Sequence, residues 1–290
     1  MTLSVHPLGP VFGAEIFGAD LTRAQTADEV AVIKAAMDRY AVAVIRDADI
    51  TDADQIRFSR QFGALELPPV LGVGAQRIAR ELYDVSNLTI DGEISPADVT
   101  KRKFGKGDQF FHMDSSFNTL PTTWSLLSAR IIPPVGGDTE FIDLRAVYAA
   151  LDAETRDAIQ DATAIHSIWF SRRLGGYEVS PEMEAKLPAV EQKMVQIAPD
   201  GRPTVVAGAH AGAIVGKSEE EGQALLRRLI AFSKEARFRL VHNWKPHDLL
   251  IWDNRCTLHR ATPFDDMAYK RDMRRTTLLE TGPDRSAQAA

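Results

Sequence analysis

The chain has 290 residues, 44% hydrophobic and 26% charged, the composition of an ordinary globular protein with enough length for a sizeable core. Its formal net charge of −6 argues against a general nucleic-acid binder, which needs a basic face. Cys256 is the single cysteine, so neither an internal disulfide nor a cysteine-rich metal cage can form. The segment Met1–Pro7 lacks the basic and apolar blocks of a signal peptide, and no apolar run is long enough to span a bilayer. A cytoplasmic protein with no membrane partner is expected.

In chain order, residues 3–20 alternate in polarity and carry Gly9, Pro10, Gly13 and Gly18, which predicts short strands joined by turns. Thr26-Ala27-Asp28-Glu29 is a capping-box pattern, and Val30, Ile33, Ala36 and Met37 follow at the spacing of one helical face. Ala41–Ile45 reads as a buried strand, and a second helix is expected from Thr51 to Phe62, stopped by Gly63. Residues 64–108 show little regular pattern beyond a strand at Leu82–Ser86. A stretch of this length, with Pro68, Pro69, Gly72, Gly74, Pro96, Gly105 and Gly107, fits either an active-site lid or a surface excursion.

Strand character resumes at Trp124–Ile132, passes through a turn at 133–137 and enters another strand. Helices are expected at 144–151 and 153–162, then a strand from Thr163 to Phe170 and a loop holding Arg172 and Arg173. Ser218-Glu219-Glu220-Glu221 opens another helix, with Leu225, Leu226, Leu229 and Ile230 on one side. The tail alternates strands at Phe238–His242, Asp248–Trp252 and Arg274–Glu280. Helices flank these strands instead of alternating with them, which disfavours a doubly wound parallel sheet. The pattern favours one α+β, mainly β domain: an antiparallel sandwich or jelly roll with helices packed outside.

The chemistry centres on Phe110–Phe117, read as a strand of aromatic and small residues. On a strand, His112 and Asp114 would share a face, roughly 7 Å apart at the usual rise, and could converge on one ion. Two imidazoles and a carboxylate form the facial triad of non-haem iron(II) oxygenases, and of the other histidines His259 follows a buried strand. Composition alone leaves His259 one of seven histidines, open to a core or surface role. Arg271, Met273 and Arg275 share one strand parity, and an inward pair of guanidinium forks would suit two carboxylate-bearing ligands. The same run could equally be solvated and paired with Asp265, Asp266 and Asp272.

Taken together, His112-Met113-Asp114, the Pro133–Phe141 segment, Trp252-Asp253-Asn254-Arg255, His259 and the Arg271–Arg275 spacing resemble the taurine / 2,4-dichlorophenoxyacetate dioxygenase family over nearly the full chain. Ser115-Ser116-Phe117, Gly208-Ala209-His210 and the context of Cys256 bring it nearest the dichlorophenoxyacetate dioxygenases. The resemblance implies a double-stranded β-helix (jelly roll) core with flanking helices, formed by residues 1–290 as a single domain, in which 64–108 is the candidate lid. It implies Fe(II) on His112, Asp114 and His259, with 2-oxoglutarate and O2 as co-substrates. Thr139 and Arg271 match the residues that hold the far carboxylate of 2-oxoglutarate, and Arg275 matches the arginine that binds the substrate's acidic group. Arg271 lies one residue farther from His259 than the family spacing, which an insertion in the loop 261–268 accounts for and which raises Lys270 as an alternative partner. The family pattern places His210 near the substrate, though a lone histidine is equally open to a structural role, and Trp252 in the wall of the site beside the co-substrate, with ordinary core packing the alternative. Trp169 and Phe170 are candidates for an aromatic pocket or for core packing, and Cys256 for a buried small residue.

The implied reaction hydroxylates the carbon beside the ether oxygen of an aryloxyalkanoate, releasing a phenol and a 2-oxo acid with succinate and CO2. Expected partners are a small acidic organic substrate and further copies of the chain. Alternatives are the same chemistry on a sulfonate, a sulfate ester or another acidic metabolite, a non-catalytic 2-oxoglutarate sensor, and a zinc hydrolase.

Overall fold

The structure, a computed structural model, describes residues 2–68, 77–97 and 99–280. Strands β1 (Ser4–Pro7) and β2 (Ala14–Phe17) precede helix α1 (Ala27–Tyr40), β3 (Val42–Ile45) and α2 (Asp52–Arg60). After β4 (Tyr83–Ser86) and α3 (Thr100–Gly105) come β5 (Thr122–Ile131), β6 (Thr139–Asp143), α4 (Leu144–Ala150) and α5 (Ala153–Ile159). Next are β7 (Thr163–His166), α6 (Ile168–Leu174), α7 (Pro181–Lys186), β8 (Val190–Lys193), β9 (Val195–Ile197), β10 (Pro203–Val205) and β11 (Ala211–Ile214). The chain ends with α8 (Glu219–Ser233), β12 (Arg239–His242), β13 (Leu249–Asp253), β14 (Thr257–Ala261) and β15 (Asp272–Leu279).

Seven strands form one sheet in the order β1-β2-β3-β13-β5-β15-β4, antiparallel except where β2 meets β3. A smaller sheet, β12-β6-β14, is antiparallel throughout. The two sheets face each other across Val42, Val44, Leu127, Leu250, Trp252 and Met273 from the large sheet and Phe141 from the small one. The intervening residues of the same strands, Ala43, Ile45, Leu249 and Ile251, turn the other way to meet Ile33, Ala36 and Met37 of α1 and Phe58 of α2. Burial on both faces explains why β3 and β13 read as unbroken apolar runs. Ile142 and Leu258 on the far face of the small sheet pack with Leu144 and Val147 of α4 and Leu225, Leu226 and Leu229 of α8. The mixed, strand-dominated sandwich with outer helices agrees with the sequence reading.

Local signals were reliable where a side chain meets its own helix end. Thr26 and Glu29 close a capping box on α1, as Ser218 and Glu221 do on α8. Three expectations are corrected. Strand character stops at His166, because Ser167 caps α6 and places Trp169, Phe170, Arg172 and Arg173 on a helix. Residues 64–108 hold α3 and a 3-10 turn at Lys106–Gln109, while positions 69–76 and 98 of the expected lid lie outside the described residues. The third correction concerns Phe110–Phe117. No helix among the described residues is long and apolar enough to cross a membrane.

Candidate active site

Phe110–Phe117 is not a strand. His112 makes a single antiparallel bridge to His259 of β14, its N–H donating to the His259 carbonyl at 3.0 Å and its carbonyl accepting from the His259 N–H at 2.9 Å. Beyond it the ladder ends, because side chains satisfy the Asp114 backbone: its N–H donates to Asn254 Oδ1 at 3.3 Å and its carbonyl accepts from Thr122 Oγ1 at 3.1 Å. Ser115 then turns the chain at φ 55°. The turn carries the carboxylate back towards both imidazoles, with Asp114 Oδ1 3.9 Å from His112 Nε2 and Oδ2 3.7 Å from His259 Nε2. One ligand atom from each residue lies within 4.8 Å of the others, and all three side chains are buried. Gly208 leaves room for this bridge, since a Cβ there would sit 2.8 Å from a Leu258 methyl and 3.3 Å from the His112 Cα.

The electrostatics favour a cation. His112 Nδ1 lies 2.8 Å from the Phe110 carbonyl, which selects the tautomer that donates there and leaves a lone pair on Nε2. Burial, with His112 and Arg275 nearby, brings the His259 imidazole down to about 3, so it is neutral at ordinary pH. Burial would raise the Asp114 carboxyl, yet Arg275, the two histidines and the Ser125 hydroxyl hold it at about 2. Ser125 Oγ donates to Oδ2 at 2.7 Å, and Arg275 Nη1 to Oδ1 at 2.5 Å. A buried carboxylate facing the Nε2 atoms of two histidines is a donor set for a divalent metal, and no fourth His, Cys, Asp or Glu completes a closed site among the described residues.

Two cations come from the β15 segment. A register shift between Asp272 and Met273 leaves Met273 in the core, while Arg274 turns to Asp272 at 3.0 Å. Arg271, just before β15, is fixed through its backbone, its N–H donating to Asn87 Oδ1 at 2.8 Å. Its guanidinium is buried, has no carboxylate in salt-bridge range among the described residues, and keeps an Nε without a hydrogen-bond partner. Burial lowers it to about 10, still charged at neutral pH. Lys270 points instead to Glu93 at 3.1 Å, at the surface. Arg274 pairs with Asp272, as the alternative reading had it, but from a largely buried position, whereas Arg271 and Arg275 pair with none of Asp265, Asp266 and Asp272. Arg275 is held between Asp114 and the Tyr83 ring, 4.3 Å from its guanidinium carbon.

Thr139 opens β6, set by Gly136 and Gly137 at φ 75° and 73°; a Cβ on Gly136 would strike the Pro263 carbonyl at 2.4 Å. Trp252 packs at 4.7 Å from the His259 ring and donates its N–H to Asn254 Oδ1 at 3.0 Å, the same amide oxygen that accepts from the Asp114 N–H. His210 is buried, its ring 5.3 Å from His112 and 4.9 Å from Phe117, with Nδ1 3.2 Å from Ser116 Oγ. Trp169 is a buried packing residue, its N–H donating to the Leu187 carbonyl at 3.1 Å, and Phe170 covers Gly212. Cys256 is buried, and burial pushes its thiol well up, as fits an inert core residue.

Several contributors had no role in the sequence reading: Ser125, Tyr83 and, beyond its place in the Trp252–Arg255 motif, Asn254. Ser125 and Asn254 lie on ordinary strand and turn segments, and only long-range register brings them to Asp114. Tyr83 stood in the strand read at Leu82–Ser86, where its pairing with Arg275 across β4 and β15 was the missing information.

A strand-dominated sandwich with a buried two-histidine, one-carboxylate cluster and open coordination positions defines a mononuclear metal enzyme of the facial-triad class. The chain belongs to the taurine catabolism dioxygenase TauD, TfdA family, whose model matches residues 4–277. It is 36% identical over 286 residues to the alpha-ketoglutarate-dependent 2,4-dichlorophenoxyacetate dioxygenase of Cupriavidus pinatubonensis, covering 97% of this chain and 99% of the relative. The (S)-phenoxypropionate/alpha-ketoglutarate-dioxygenase of Sphingobium herbicidovorans is 34% identical, with 93% and 92% covered. The crystal structure of AAD-2 in complex with Mn(II) and N-oxalylglycine superposes with a TM-score of 0.90 at 40% identity, covering 98% of each chain.

Proposed function

We propose that the protein is an Fe(II)- and 2-oxoglutarate-dependent dioxygenase that hydroxylates the carbon beside the ether oxygen of an aryloxyalkanoate such as 2,4-dichlorophenoxyacetate. The products are a phenol and a 2-oxo acid, with succinate and CO2 from the co-substrate. One observation carries the reading: His112, Asp114 and His259 converge in a buried cluster with the Arg275 guanidinium on its edge. These three residues would hold Fe(II), which with 2-oxoglutarate and O2 would supply the oxidising power for the hydroxylation.

The chain's own work is placement. Arg271, buried with no carboxylate in salt-bridge range among the described residues, offers a two-pronged donor to the far carboxylate of 2-oxoglutarate, and the Thr139 hydroxyl supports it. Arg275 binds the acidic group of the substrate and so aims the adjacent carbon at the metal. Trp252 closes the wall behind His259, and His210 borders the substrate side next to His112. The facing large and small sheets are read as the two halves of a double-stranded β-helix within a single domain, residues 64–108 as a lid, and the enzyme as a cytoplasmic homo-oligomer.

Succinate release is measured under aerobic Fe(II)/2-oxoglutarate conditions with phenoxyacetate, each 2-phenoxypropionate enantiomer, a sulfate ester and taurine. Substrate-dependent succinate and phenol from an aryloxyalkanoate are expected. Turnover confined to taurine or the sulfate ester would replace the aryloxyalkanoate with that substrate class.

A further inference from the structure

We infer that Trp244 is a positioning residue for the co-substrate, acting through Thr139, and this rests on the reading of Thr139 given above. The Trp244 indole N–H donates to Thr139 Oγ1 at 3.1 Å, and both side chains are buried. An indole nitrogen only donates, so Thr139 must accept and its own proton is left to point elsewhere. Among the described residues that proton has no acceptor. A buried hydroxyl with one lone pair taken still has its proton to give to an incoming anion.

The indole is itself held firmly. His242 is the register partner of Thr139 across β12 and β6, and its ring meets Trp244 edge-on at 4.6 Å. His242 Nε2 lies 3.1 Å from Asp248 Oδ2, which also accepts from the Lys245 N–H at 2.8 Å and from Arg46. The chain therefore turns back two residues past His242 and brings the indole over the Thr139 hydroxyl. Without that N–H the hydroxyl rotor is free to donate in several directions, and part of the order needed for carboxylate binding is lost.

The test is a double-mutant cycle read by calorimetric titration of 2-oxoglutarate into the Mn(II)-loaded protein. Thr139→Val should weaken 2-oxoglutarate binding. Trp244→Phe, which keeps a ring but removes the donor, should weaken it about three- to tenfold. The same factor should appear in the Thr139→Ser background and vanish in the Thr139→Val background, with Mn(II) affinity unchanged. An equal loss in all three backgrounds, or none, would overturn the inference and leave the role of Thr139 standing. Unchanged binding in Thr139→Val alone would remove Thr139 itself from the co-substrate site, and the role of the indole with it. If Trp244→Phe fails to fold, the indole signals of the four tryptophans are followed by nitrogen-15 spectra of Zn(II)-loaded protein. One should move on Thr139→Val and respond to 2-oxoglutarate in the parent chain only; four signals indifferent to Thr139→Val refute the contact.

Discussion

Replacing Arg275 by glutamine removes a charge that serves two masters. Its Nη1 sits 2.5 Å from Asp114 Oδ1, where two unit charges at about 4 Å attract by about 4 kcal/mol at an effective dielectric near 20. Desolvation offsets part of that, and truncating one member of such a buried pair costs about 2–5 kcal/mol in practice. With an acidic substrate bound, the same guanidinium is its counter-ion. Arg275→Gln should therefore raise the KM for an aryloxyacetate by thirtyfold or more, about 2 kcal/mol at least. The KM for 2-oxoglutarate, whose far carboxylate is assigned to Arg271, should change little. Metal-free variant should also unfold at lower urea concentration, and saturating Mn(II) should recover part of the difference by supplying positive charge to Asp114. Succinate kinetics with each substrate varied in turn, and urea curves with and without Mn(II), measure both effects. Equal increases in the two Michaelis constants would refute the division of labour between the arginines.

Two further outcomes follow from the same geometry. Asp114→Ala and His112→Ala should each abolish turnover together with stoichiometric Mn(II) binding; retention of metal and of succinate production by either would dismantle the site. Metal-free protein should lose stability as pH falls from about 6.5 to about 4. Burial brings His166 down to about 4, so the unfolded chain takes up its proton near the ordinary 6.5 while the folded chain resists. At pH 5 this single group accounts for about 2 kcal/mol relative to neutral pH. Urea curves at pH 7 and 5 should accordingly show a smaller loss for His166→Asn than for the parent chain, and identical losses would contradict a neutral buried imidazole.

What could be read from the sequence was what neighbouring residues determine. Thr26 with Glu29 and Ser218 with Glu221 announce their helices because each cap is satisfied three residues away. The two-sided apolar runs of β3 and β13 announce the centre of a sandwich. Phe110–Phe117 misled because its composition suits a strand, while the outcome hinges on Asn254 and Thr122, distant in sequence, taking over the Asp114 backbone. The aromatic pair Trp169–Phe170 misled for a similar reason: a Ser167 cap and a buried slot for the indole outweighed strand propensity. The three residues that the structure brings together as a metal-binding cluster were picked out through family pattern, not spacing. Residues that only orient them, such as Ser125 and Tyr83, have no pattern of their own.

The rung between His112 and His259 is made by main-chain atoms alone. The gap between two of the three ligands is therefore written in peptide geometry, independent of the side chains that fill it. Exchanging either imidazole changes what is offered to an ion without moving the posts on which it hangs. Asp114, one residue before the left-handed turn at Ser115, is instead held by the side chains of Asn254, Thr122, Ser125 and Arg275, so its position depends on residues distant in the chain.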